Sequence, residues 1–303
     1  MRPESVAAEA PAAPQWFEDA LAAERQHRQV SVAGCPISYW RWGGPAPKGV
    51  VLVHGGGAHA RWWDHVAPLL AHDERCVVAI DLSGHGDSGR RGQYSVEGWA
   101  EEMLAVAAHA GIAGPPVLAG HSLGGWAAVV AAARHPDAVA GLILMDCRIM
   151  DAAPEDQEAR QRRAFGPLRV YSTLDEALAR YRTVPEQDDY LPFVFHHVAV
   201  TSAHEVEGGW TWKFDPSVFD QRRPGNEALR QITCRVALVR GERGLLTPAI
   251  SGEMYRALGR RAPIVEVPLA GHHLMLDQPL LLVTALRALL ADWDHSAPQP
   301  PAD

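Results

Sequence analysis

Five short runs, each nearly all apolar and each stopped by glycine or a polar residue, constrain this chain more than anything else in it: GVVLVHGGG, RCVVAIDLSGHGDS, PPVLAGHSLGG, AVAGLILMDC and CRVALVRGERG. A strand with one wet face alternates polar and apolar residues. These runs do not alternate, so both of their faces must be covered. Segments with helical patterning separate them, over 60–71, 96–110, 125–135, 248–258 and 279–293. Such alternation predicts the α/β class: a doubly wound, mostly parallel sheet whose functional loops stand at the C-terminal ends of the strands. Ahead of it, WFEDALAAERQHRQV reads as a short helix leading into two alternating stretches about Gly34, a β-hairpin.

The stretch GHSLGG lies between the strand PPVLA and the helix WAAVVAAARH. Gly120, Gly124 and Gly125 remove side chains where the two backbones would otherwise collide. A serine at such a turn gains nothing from packing, so Ser122 reads as a residue held out for chemistry.

One interval breaks the alternation. Residues 147–225 are rich in Arg, Glu and aromatics, with helical pieces such as LDEALARYRTV and no run that reads as a buried strand. The expected organisation is a core in two parts, 1–146 and 226–303, with 147–225 inserted as a helical cap over the strand ends. Trp210 and Trp212 from the insertion, with Trp62, Trp63 and Trp126 near the serine turn, are candidates to line a pocket for a bulky apolar or aromatic substrate. Most of the insertion's aromatics would serve its own small core.

Composition excludes several classes. The formal charge of −8, from 28 Lys+Arg against 36 Asp+Glu, leaves no basic stripe for neutralising phosphates, so nucleic acid is not an expected partner. Cys35, Cys76, Cys147 and Cys234 have neither metal-ligand spacing nor a disulfide framework, which points to a reducing, cytoplasmic setting without a metal. The first residues hold acidic groups and prolines where a secretory signal needs a positive end and an apolar core. The longest apolar stretch, 117–133, is interrupted by His121 and Ser122 and reads poorly as a membrane span. A soluble protein with a small-molecule partner is expected; the oligomeric state stays open.

In its strand, turn and helix context GHSLG matches the G-x-S-x-G nucleophile elbow. With HGGG, DLSGHGDS and AGHHLMLDQP in the same order along 29–293, the chain resembles the α/β-hydrolase superfamily, in the branch with a helical cap after the sixth strand. The resemblance implies Ser122 as nucleophile and His272 as its base, with His273 as the alternative. It implies an oxyanion hole from the N–H groups of Gly56 and Leu123, with Gly57 as a second possible donor, and it gives His54, Asp81, His85 and Asp87 structural roles.

The acid departs from the common pattern. Many relatives carry G-x-x-D after the seventh strand, but here the segment is Gly241, Glu242, Arg243, Gly244. A Ser–His pair needs a carboxylate to hold the imidazole in its working tautomer. Asp146, at the end of GLILMD, occupies the place where dehalogenase-like and lactonase-like relatives put their acid; Glu242 is the alternative. The implied activity is cofactor-free hydrolysis of a carboxylic ester or lactone through an acyl-enzyme. A serine at the elbow argues against dehalogenase and epoxide-hydrolase chemistry. Carbon–carbon bond hydrolysis and a low-turnover receptor or scaffold remain as alternatives.

Overall fold

The computed structural model describes residues 11–151, 168–221 and 224–296; residues 152–167 of the expected cap lie outside the described residues. The strands are β1 (Gln26–Val32), β2 (Cys35–Trp42), β3 (Lys48–Val53), β4 (Arg75–Ile80), β5 (Val117–His121), β6 (Gly141–Met145), β7 (Ala203–Val206), β8 (Gly209–Trp212), β9 (Arg235–Gly241) and β10 (Ile264–Val267). Eight of them form one sheet in the order β1-β2-β4-β3-β5-β6-β9-β10. The β1–β2 hairpin and the β2–β4 pair are antiparallel, and the remaining pairs are parallel.

The absence of polar alternation in the central runs now has its cause. Val51 and Val53 of β3 enter one apolar cluster, with Trp99, Met103 and Val129, while Val50 and Leu52 enter a second on the opposite face, with Phe17, Leu282 and Leu286. Leu142 and Leu144 of β6 divide from Ile143 and Met145 in the same way. Burying each such side chain contributes roughly 1.5–3 kcal/mol, and the period of two in the pleat deals these contributions to both faces.

The first face is covered by α2 (Val96–His109), α3 (Leu123–Arg134), α6 (Asn226–Arg230) and α7 (Pro248–Ala257); the second by α1 (Gln15–Ala22), α8 (Leu274–Asp277) and α9 (Pro279–His295). α2 starts where Ser95 accepts a hydrogen bond from Gly98 N at 2.9 Å, which satisfies one of the N–H groups a helix start leaves unpaired. Among the described residues no helix is long and apolar enough to cross a membrane.

Two expectations change. The helix expected over 60–71 is instead two tight turns, Ala60–Trp63 and Ala67–Leu69, the second holding Pro68, which has no N–H to donate. Between β6 and β9 the chain is not purely helical. It carries α4 (Leu174–Leu178), α5 (Pro192–Ser202) and the antiparallel β7–β8 pair, whose turn uses Gly208 and Gly209 at φ +87° and +143°. α4 stops well short of LDEALARYRTV because the chain turns there to bury Tyr181 against Phe195 and Trp212.

Candidate active site

Sheet order places the site. After β3 the chain leaves toward β4 on one side and returns to β5 on the other, so the HGGG loop and the serine turn emerge from adjacent strands, with Val53 paired to Gly120. Crevices in such sheets open at this kind of reversal. The turn after β5 is tight. A Cβ on Gly120 would lie 2.6 Å from Gly124 O, and one on Gly124 would strike His54 O. Ser122 itself has φ +50°, a conformation costing a non-glycine residue about 1–3 kcal/mol, and α3 begins at the next residue.

The HGGG loop passes directly against this turn: a Cβ on Gly55 would stand 3.3 Å from Ser122 Cβ, and one on Gly56 3.4 Å from Leu123 Cδ1. Leu123 opens α3, so its N–H is among those a helix cannot satisfy internally. Its side chain is buried in the core beneath. His54 braces the loop, donating from Nδ1 to Gly55 O at 2.7 Å and accepting at Nε2 from Leu82 N at 3.1 Å. Burial, with the neighbouring His85 second, holds the His54 imidazole well below the ordinary histidine range, so it stays neutral.

His272 follows β10 and is 4% exposed. Its Nδ1 donates to Asp146 Oδ2 at 2.7 Å. Asp146, after β6 at φ +41°, is gripped from all sides: Oδ2 also accepts from Leu245 N at 2.6 Å, and Oδ1 from Leu246 N at 3.1 Å and Gly241 N at 3.3 Å. The glycine at 244 is explained by the same carboxylate, which a Cβ at that position would strike. The space used by the common acid is filled by Asp146 from the neighbouring strand. Glu242 is exposed and turned elsewhere, its Oε2 accepting from Leu269 N at 2.7 Å. His273, the alternative base, donates from Nε2 to Pro185 O at 3.0 Å and has no carboxylate partner among the described residues.

DLSGHGDS is a scaffold turn. Asp81 Oδ1 accepts from Ala60 N at 2.6 Å and Oδ2 from Asp87 N at 3.0 Å, while Asp87 pairs with Lys213 at 2.7 Å and His85 bridges to Phe214. These contacts tie the turn to the residues after β8.

Ser122, His272, Gly56 and Gly57 open onto one cavity of about 370 Å³. Its far wall comes from residues between β6 and β9, including Tyr171, Tyr181, Trp212 and Phe214, with Arg169, Arg180, Arg182 and Lys213 adding positive charge. His59 and Ser202 form a polar patch in it, His59 Nε2 to Ser202 Oγ at 2.9 Å. Of the five tryptophans considered from sequence, Trp62 and Trp212 line the cavity; Trp63, Trp126 and Trp210 do not. Trp63 is fully buried, because neighbouring residues of a three-residue turn point about 120° apart and Trp62 takes the cavity side. Trp126 packs against the core from α3, its indole N–H donating to Arg148 O at 3.1 Å. Trp210 stands two residues, roughly 7 Å, nearer the hairpin turn than Trp212.

Sequence reasoning missed one clamp. Gln187 accepts at Oε1 from His273 N at 2.9 Å and donates from Nε2 to Asp277 Oδ2 at 3.0 Å, while the same oxygen accepts from Gly271 N at 2.5 Å. Burial pushes the Asp277 carboxyl up to about 6. The loop bearing His272 is thus held by the segment between β6 and β9, and no spacing pattern announces that contact.

Comparison with known proteins accords with this geometry. A sequence model described as "Alpha/beta hydrolase family" matches residues 50–285. The chain belongs to the alpha/beta hydrolase family. Among its relatives, esterase Rv0045c of Mycobacterium tuberculosis is 31% identical over 270 residues, covering 84% of this chain and 86% of the relative. Lipase LipV of the same organism is 31% identical over 180 residues, covering 59% and 58%. A crystal structure of esterase Rv0045c superposes on this hydrolase with a TM-score of 0.67 at 26% identity, covering 91% of this chain and 95% of the other.

Proposed function

We propose that this hydrolase of ester bonds works as a serine esterase on carboxylic esters, lactones included, with Ser122 as nucleophile, His272 as base and Asp146 as the orienting acid. The observation that carries the reading is the 2.7 Å hydrogen bond from His272 Nδ1 to a carboxylate that accepts four donors, with Ser122 on the same cavity. Asp146 holds the Nδ1–H tautomer, which leaves the Nε2 lone pair to take the Ser122 proton as Oγ attacks the carbonyl. The N–H groups of Gly56 and Leu123 receive the oxyanion, a contribution of about 2.7–4 kcal/mol per donor in comparable sites. The imidazolium returns its proton to the departing alkoxide, and a water activated by the same Nε2 releases the acid.

Residues 147–225 act as the cap. The described part of this segment supplies the far wall of the cavity, and Trp62, Tyr171 and Trp212 favour acyl groups with apolar or aromatic bulk over acetate. Esterase and lipase relatives support ester cleavage. Cysteines scattered along the chain without disulfide pairing suit a reducing, cytoplasmic setting. The test is turnover of p-nitrophenyl esters of increasing acyl length and of δ-lactones, with Ser122→Ala alongside. We expect hydrolysis by the wild type, a loss of about 10⁶-fold in kcat for the variant and fluorophosphonate labelling of Ser122 alone. Wild-type rates from Ser122→Ala would overturn the assignment.

A further inference from the structure

His59, Tyr181 and Ser202 line the cavity beside its aromatic wall and are only 3%, 6% and 4% exposed. They come from separate parts of the chain: His59 continues the HGGG loop, Tyr181 follows α4 and Ser202 ends α5. Their protons can be assigned. Ser202 Oγ stands 2.7 Å from Val198 O, and a carbonyl can only accept, so the hydroxyl proton lies there. His59 Nε2, 2.9 Å from the same Oγ, must therefore be the donor. Burial, with Lys213 second, holds this imidazole well below the ordinary histidine range, so it is neutral and its Nδ1 is a bare lone pair. Among the described residues that nitrogen has no hydrogen-bond partner. Tyr181 Oη is 3.4 Å from Ser202 Oγ, beyond the usual length of an O–H···O bond, so the phenol proton is scarcely used.

We propose that this patch is a specificity subsite for a hydroxyl group carried by the ester substrate. A hydroxyl both donates and accepts, and the patch offers a counterpart for each role: the lone pair at His59 Nδ1 and the O–H of Tyr181. With all three side chains uncharged, the patch suits a neutral partner over an ionised one. Ligand pockets are mostly apolar and take their selectivity from a few placed polar groups. Trp62, Tyr171 and Trp212 supply the apolar surface of this one, and His59 with Tyr181 supplies the selection. The patch is near the chemistry. His59 is three residues beyond Gly56, so their Cα atoms are at most about 11 Å apart, and Ala58 N donating to Gly55 O at 3.2 Å folds the loop between them. One small molecule can therefore place its carbonyl at Ser122 and its hydroxyl at the patch. An ester without the hydroxyl would displace water from the patch and leave both groups unpaired, which is how such a site discriminates. The proposal rests on the serine-esterase reading of the cavity.

The experiment compares kcat/KM within pairs of esters of matched length, one member hydroxylated and the other not. One series carries the hydroxyl on the acyl chain, as p-nitrophenyl hydroxyalkanoates against alkanoates. The other carries it on the alcohol, as butyrate monoesters of diols against butyrates of simple alcohols. A preference of at least about tenfold for the hydroxylated member is expected in one series, and which series shows it tells the side of the scissile bond. Tyr181→Phe removes only the phenol oxygen, and His59→Gln keeps a donor for Ser202 while removing the ring lone pair. Each should bring the ratio close to one. The ratio is read within each variant, so a general slowing or a lower melting temperature cancels, and two variants keep the test alive if one fails to fold. Calorimetric binding of the same pairs to Ser122→Ala protein should show the same preference. No preference in either series would overturn the proposal. So would a ratio unchanged in both folded variants, the outcome expected if the patch only pins α5 to the HGGG loop. If Ser122→Ala binds the hydroxylated members preferentially while the wild type cleaves no ester, the subsite stands and the esterase reading falls.

Discussion

Replacing Asp146 by Asn hardly changes volume and reverses hydrogen bonding. Its two oxygens accept from four donors: His272 Nδ1 at 2.7 Å, Leu245 N at 2.6 Å, Leu246 N at 3.1 Å and Gly241 N at 3.3 Å. An amide has one accepting oxygen, so its NH₂ must face donors whichever way it turns. If the oxygen stays with Leu246 and Gly241, the NH₂ faces Leu245 N and the imidazole. The imidazole can then accept only by moving its own proton to Nε2, and that tautomer has no lone pair for Ser122. The expected loss is about 10⁴-fold in kcat, equivalent to about 5.5 kcal/mol. Loss of the charge-assisted bond to Leu245 N should cost about 1–3 kcal/mol of folding stability. KM should stay within a few-fold, because Asp146 stands behind His272 and does not line the cavity. Steady-state kinetics on a p-nitrophenyl ester, with a thermal melt beside it, reads all three quantities. A folded Asp146→Asn protein with kcat within tenfold of wild type would refute the reasoning.

Gly244→Ala should cut kcat at least tenfold, since the new methyl would push the Asp146 carboxylate off His272; unchanged kinetics would mean that the 244–246 turn yields instead. Trp212→Ala should shift KM across an acyl-length series far more than it slows fluorophosphonate labelling of Ser122, whereas Trp210→Ala should leave the series nearly flat; equal effects would contradict the cavity wall described above. Burial raises Asp81 from 3.8 to about 7, so the folded state holds this proton more tightly than the unfolded one. Stability therefore falls as pH rises from about 4 to about 7 and levels off beyond. Asp81→Asn lacks that titration, so the melting-temperature difference should move against the wild type between pH 5 and 8; parallel curves would sink this account.

The strands and the serine turn were readable because their causes are local. A run apolar on both pleat faces states that both faces are covered, and glycines at 120 and 124 state that two backbones cross there. The sheet order, by contrast, is a long-range result. It brings the HGGG loop beside Ser122 and sets β6 next to β9, so that an acid from one strand end fills the space left by a glycine on the other. In sequence, Gly244 reads only as a missing acid. In the structure it is the room that Asp146 occupies.

Which of two adjacent tryptophans faces the cavity was equally beyond one-dimensional pattern, because the helix expected over 60–71 is a pair of tight turns and side-chain direction changes with the turn. The Gln187 clamp joins segments far apart in sequence, through groups whose partners exist only after the chain has closed on itself. Periodicity and turn chemistry act over a few residues and so are written in order along the chain. The direction of a side chain, and the identity of what it meets, are decided by packing between segments that the chain does not write side by side.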